Sequence, residues 1–266
     1  MISNHEIDYK IFGEELQFVE IELDPNETAI AESGAFMMMD DGIQMNTIFG
    51  DGSQQQQSGG ILGKLMSAGK RLLVGESLFM TAFTNVGQGK KRVSFAAPYT
   101  GKIIVFDLKE LGGKIIAQKD AFLCAAKGVS IGIEFQKRLG TGIFGGEGFI
   151  MEKLEGDGLA FAHAGGYVME KTLAPGEILK VDTGCIVAYT AGVDFDIEFI
   201  KGIKNWMFGG EGLFFAILRG PGKVWLQSLP ISRLAGRIIR YAPQMGGRKE
   251  EGSILGGLGN LLDGRE

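Results

Sequence analysis

Leu16–Leu23, LQFVEIEL, sets Phe18, Val19, Ile21 and Leu23 against Gln17, Glu20 and Glu22. This near-alternation, broken once, predicts a strand with one buried face. The alternation is cleaner near the other end of the chain, where Val193, Phe195, Ile197 and Phe199 are separated by Asp194, Asp196 and Glu198. KIIVFDL (102–108) and the run from Cys185 to Ile200 are rich in β-branched and aromatic residues, again a strand signal. Pro25-Asn26, Pro175-Gly176 and Gly156-Asp157-Gly158 fall where such runs stop, and predict turns. Helical periodicity is scarce before the C-terminal tail.

The pattern also repeats. Shifted by 64 residues and without a gap, 120–158 aligns with 184–222, and FGGEG from Phe144 falls on FGGEG from Phe208. A third copy lies upstream: GESLFMTAFTNVG from Gly75 matches GEGFIMEKLEGDG from Gly146, and GAFMMMDDGI from Gly34 matches DAFLCAAKGV from Asp120. The two upstream offsets, 71 and 86, differ, so the first copy carries an insertion, placed at about 50–72. The copies are read as about 14–98, 99–163 and 164–230, within one domain over 1–242, followed by a flexible or amphipathic tail, 243–266. A repeat that cannot bury its apolar face alone gains a core by packing on its neighbours. The expected fold is therefore all-β: three sheet repeats with pseudo-threefold symmetry, prism- or sandwich-like, with a short amphipathic C-terminal helix.

Composition narrows the function classes. Glycine supplies 43 of 266 residues with no Gly-X-Y period, which suits tight turns and close backbone approach. The net charge of −5 argues against a large nucleic-acid surface. Cys124 and Cys185 form no CxxC, so each is read as a buried reduced thiol. The polar start MISNHEIDYK and the lack of a long apolar run lead us to expect a cytoplasmic protein, at most peripheral to a membrane.

YKIFGEELQFVEIELDPNET, AESGAFMMMDDGIQM and GKRLLVGESLFMTAFTN, together with the repeated GGEG, resemble the Aim24-type ("altered inheritance of mitochondria") family over roughly residues 5–242. The resemblance implies a fold like that of the tryptophan RNA-binding attenuation protein. It also implies kinship with proteins linked to mitochondrial inner-membrane organisation, and it supplies no catalytic residues.

Candidate chemistry is sparse. Glu76, Glu147 and Glu211 each follow a glycine at matching places in the repeats. They suit either backbone N–H capping or, around a shared axis, a hard cation. His5 and His163 are the only histidines, and His163 in LAFAHAGG is expected to be a hydrogen-bonded strand residue. No nucleophile–base pair, metal-ligand spacing or phosphate loop stands out, so we expect no catalytic residue, metal or cofactor. Trp206 and Phe208, in GIKNWMFGG, form a candidate interaction tip. In 61–75, Leu62 and Leu65 oppose Lys70 and Arg71. In the tail, Leu258 and Leu261 belong to a helical apolar spacing. Both segments suit a membrane surface or a protein partner. The leading expectation is a non-enzymatic, self-associating binding or scaffolding protein. The alternatives are a nucleic-acid-binding module by analogy of fold, and a metal-linked enzyme using the three Gly-Glu carboxylates.

Overall fold

A computed structural model describes residues 5–32, 34–49, 79–137, 149–199 and 214–241. The chain divides into two units, Met1–Arg233 and Leu234–Glu266. All the described strands belong to the first. In chain order they are β1 (Asp8–Phe12), β2 (Phe18–Leu23), β3 (Thr28–Glu32), β4 (Phe36–Met39), β5 (Ile43–Phe49), β6 (Phe79–Asn85) and β7 (Lys91–Ala96). Then come β8 (Gly101–Asp107), β9 (Lys114–Gln118), β10 (Phe122–Ala126), β11 (Ser130–Lys137), β12 (Phe149–Glu155) and β13 (Leu159–Gly165). The series ends with β14 (Val168–Leu173), β15 (Ile178–Asp182), β16 (Ile186–Thr190), β17 (Asp194–Phe199), β18 (Phe214–Arg219) and β19 (Gly222–Gln227). A single 3₁₀ turn, Lys119–Ala121, precedes β10, and another, Thr183–Cys185, precedes β16. Among the described residues the protein is thus mostly β, with one short helix, α1 (Ile231–Tyr241), toward the C-terminus.

The strands form four sheets, ordered β1-β2-β7-β4, β5-β6-β3-β10-β13-β8, β11-β12-β9-β16-β19-β14 and β15-β18-β17, with every ladder antiparallel. The alternation in LQFVEIEL is realised in β2: Val19, Ile21 and Leu23 are buried and the residues between them are half-buried. On β17 the acidic residues are exposed and Phe195 and Ile197 turn inward.

Three apolar clusters join successive sheets. Val19, Ile21, Val93 and Phe95 of the first sheet meet Ala29, Ala31 and Phe83 of the second. Ile30, Met80, Phe106 and Ala160 of the second sheet meet Ile115, Leu154, Val187 and Trp225 of the third. Ile116, Phe149, Met151 and Val224 of the third sheet meet Val181, Ala216 and Leu218 of the fourth. The two central sheets are covered on both faces, so β10 and β13 read as apolar runs rather than alternating strands. Aromatic rings tie the layers: Phe83 to Phe95 edge-on at 5.1 Å, Phe106 to Trp225 edge-on at 4.9 Å, and Phe135 stacked on Phe195 at 4.9 Å.

Two glycines are required by contact rather than by conformation. Gly101 and Gly165 face each other at the end of the β8–β13 ladder. A Cβ on Gly101 would lie 2.0 Å from the Ala164 carbonyl oxygen, and one on Gly165 would lie 2.0 Å from that of Leu229. Buried amides supply the polar corners. Asn85 donates from Nδ2 to the Leu23 and Gly89 carbonyls, and its Oδ1 accepts from the Gly87 N–H at 3.0 Å. Gln227 accepts from the Gly165 N–H at 2.8 Å and donates to the Gly184 carbonyl at 2.9 Å.

Candidate functional site

Glu76, Glu147, Glu211, Trp206 and Phe208 lie outside the described residues, as do Leu62, Leu65, Lys70, Arg71, Leu258 and Leu261. Among the described residues, titratable groups gather at one corner, around the turn Lys119–Ala121. Glu152 on β12 points to the same side of its strand as buried Leu154, opposite Ala117 and Ile133. It is 1 % exposed, and neither carboxylate oxygen has a hydrogen-bond partner. Burial raises its pKa to about 8, Glu32 and Asp120 push the same way, and Lys119 partly offsets them. At neutral pH Glu152 is therefore a neutral acid.

Asp120 also acts on Tyr99, whose pKa is driven up to about 12 by burial first and by that carboxylate second. The Tyr99 ring packs edge-on against His163 at 4.4 Å. His163 sits in β13 as expected, its imidazole buried beside the Tyr99 backbone. Its surroundings are aromatic and glycine backbone rather than side-chain acceptors. Burial lowers its pKa to about 4, partly offset by the Tyr99 backbone, so the ring is neutral at pH 7. The corner therefore sets two buried protonatable side chains, Glu152 and His163, near the charged turn residues Lys119 and Asp120.

His5 is used differently: its Nδ1 accepts from the Thr28 N–H at 2.9 Å, anchoring the N-terminal segment. Cys124 is fully buried and free, with its thiol pKa raised by burial. Cys185 is free but only half-buried, because it ends a surface turn; burial and Asp182 raise its pKa and Arg233 opposes them.

The second notable feature is a pair of strand edges. β4 ends the first sheet and β15 ends the fourth. Phe36, Met37, Met38 and Met39 are all exposed, at 39–48 %. Ile178 on β15 is exposed as well. An unpaired edge with consecutive apolar residues offers both backbone hydrogen bonds and apolar area to a partner. Sequence reasoning used FMMM only to align repeats, although four apolar residues in a row are unusual for a strand facing water.

Helix α1 is the third. Ile231, Leu234 and Ile238 follow the i, i+3, i+7 spacing of one face, and Arg233, Arg237 and Arg240 recur at i, i+4, i+7. Its first turn carries no acidic residue. The short amphipathic helix expected toward the C-terminus is present over Ile231–Tyr241, ahead of the tail to which the sequence reading assigned it. Gly236 interrupts the pattern, and the length is modest.

These features define a layered, antiparallel all-β protein whose distinctive surfaces are strand edges and a basic amphipathic helix. Residues 9–229 match the family described as mitochondrial biogenesis AIM24, and the chain belongs to that family. A protein from Streptococcus pyogenes serotype M6, described as uncharacterised, is 31 % identical over 229 residues, covering 85 % of this chain and 86 % of its own. The crystal structure of a Streptococcus pyogenes protein superposes with a TM-score of 0.69 at 23 % identity, covering 89 % of this chain and all of that one. That likeness establishes the fold. Among the described residues, no helix is long and apolar enough to cross a membrane.

Proposed function

We propose that this protein is a non-enzymatic, self-associating β-scaffold that works at a membrane surface from the cytoplasmic side. The observation that carries the membrane part is α1: an arginine stripe beside an isoleucine–leucine stripe, with Ile238, Ile239 and Tyr241 exposed. A cationic, aliphatic helix of this kind binds anionic lipid by charge and by shallow burial of its apolar face. The leucines and basic residues of 61–75 and the leucines of the tail, which lie outside the described residues, are further candidates for membrane contact in this reading.

The scaffold part rests on three equal units. β2–β7, β8–β13 and β14–β19 are six strands each. In every set the first pairs with the sixth, the second with the fifth, the fourth with the fifth and the third with the sixth. The third strand carries the same register shift each time, between Phe36 and Met38, between Phe122 and Cys124, and between Ile186 and Ala188. This supports reading the molecule as a pseudo-threefold repeat protein. A nucleic-acid role has less support, because Lys90, Arg92, Lys114, Lys171 and Lys223 are ion-paired to carboxylates of their own sheets.

Co-sedimentation with vesicles tests the membrane reading. We expect the full chain to pellet with phosphatidylserine-containing vesicles at low salt, less so at high salt, and not with purely zwitterionic ones. Ile238→Glu with Ile239→Glu should abolish pelleting while far-UV dichroism is unchanged. Failure of the wild-type protein to bind any anionic vesicle would remove this reading.

A further inference from the structure

We propose that β4 of one chain pairs with β15 of a second copy, head to tail, making between chains the junction that the repeats already make twice within one. This rests on the three-unit reading above. In the second sheet the second strand of repeat one, β3, pairs with the third strand of repeat two, β10. In the third sheet β9, second in repeat two, pairs with β16, third in repeat three. By the same rule the second strand of repeat three, β15, needs the third strand of repeat one, β4. Within this chain the two end different sheets. The six-stranded pattern is therefore cut in half, into the first sheet with its extra strand β1 and the three-stranded fourth sheet.

The register follows residue by residue. Cys124 opposes Ala31 in one junction and Ala188 opposes Ala117 in the other. The ladder bulges place Met38 at the position of Cys124 and Ala188. The pairings with Thr81, Glu152 and Ala216 place Val181 at the position of Ala31 and Ala117. The new ladder is then Met38 against Val181, Met39 against Lys180, and Asp40 against Leu179.

Burial agrees with this occupant. β10 is wholly buried and β16 is buried except at Thr190, whereas β4, at the same place in its repeat, is exposed throughout. β3 and β9 are buried at all but one residue, whereas β15 is buried only at Val181. The exposed methionines are thus the apolar residues of a buried strand whose partner is missing. The outward face of the first sheet points to edge contact rather than stacking. It carries Glu22 ion-paired with Lys90 at 2.7 Å and Arg92 at 3.0 Å, a polar lattice fit for water. An edge-to-edge contact between unlike edges is heterologous and propagates head to tail.

Cysteine pairing tests the register. Paired strands hold opposed Cα atoms about 4.5–5.5 Å apart, within disulfide range. On a Cys185→Ser background, Met38→Cys chains and Val181→Cys chains are mixed and oxidised. The expected product is a covalent dimer containing one of each, absent when either variant is oxidised alone. A chain carrying both should give a ladder of multimers. If the double variant instead forms an intrachain disulfide and stays monomeric, the junction closes within one chain and the proposal falls. Where Val181→Cys fails to fold, light scattering on Met38→Lys replaces it. We expect the wild type at a multiple of the chain mass and the folded variant at that of a single chain. A wild type that is oligomeric by light scattering but yields no Met38–Val181 cross-link overturns this junction while leaving self-association standing. A wild-type monomer overturns both.

Discussion

Single residues set the pH response of this protein. Glu152 is the clearest case, because its folded pKa, near 8, lies above that of an exposed carboxyl, near 4.5. Below about pH 4.5 both states hold the proton and Glu152 contributes no slope. Between there and pH 8 the unfolded chain ionises first, so stability falls as pH rises, by up to about tenfold in the folding constant per unit. Glu152→Gln should remove that slope and raise the urea midpoint at pH 8; a midpoint equal to the wild type's there would contradict the neutral, buried acid. His163 acts on the opposite flank. Its folded pKa of about 4 lies below the ordinary 6.5, so stability is lost as pH falls between those values. A His163→Phe variant that keeps its fold should be less sensitive to pH over pH 4–6.5, followed by thermal melts. Asn85 shows the cost of a lost polar partner. Asn85→Ala strips hydrogen bonds from two backbone carbonyls and one backbone N–H. Each unmet group costs about 1–3 kcal/mol, and denaturant unfolding should show a loss of roughly 3 kcal/mol.

At the scale of elements, backbone proximity matters more than hydrophobic content. The β8–β13 ladder ends on Gly101 facing Gly165, where both backbones run close to a neighbouring carbonyl. Gly101→Ala and Gly165→Ala each force backbone to move. We expect a loss of about 2 kcal/mol or more, well above the effect of an exposed glycine such as Gly236, whose Cβ would meet nothing. Calorimetric melting of the three variants ranks them. The strands themselves were legible where one face is wet: β2 and β17 alternate, and the sequence reading found both. β10 and β13 show no such alternation because both of their faces are covered. β10 was found through repeat alignment, and β13 only as the apolar run around His163. A short helix toward the C-terminus was legible, but its bounds were not, because the pattern of α1 is broken by Gly236 and the leucine-rich tail offered a more conspicuous one.

At the scale of the molecule, three apolar clusters join the four sheets of the described residues. The sequence alone determined the β class, the turn positions and the family, because side-chain period and local turn chemistry are written in neighbouring residues. Tertiary structure alone decided that Glu152 and His163 are buried, and that β4 and β15 are left at sheet edges. Burial, charge proximity and strand pairing depend on which distant segments meet, and the pattern along a strand is the same whether or not its partner is present.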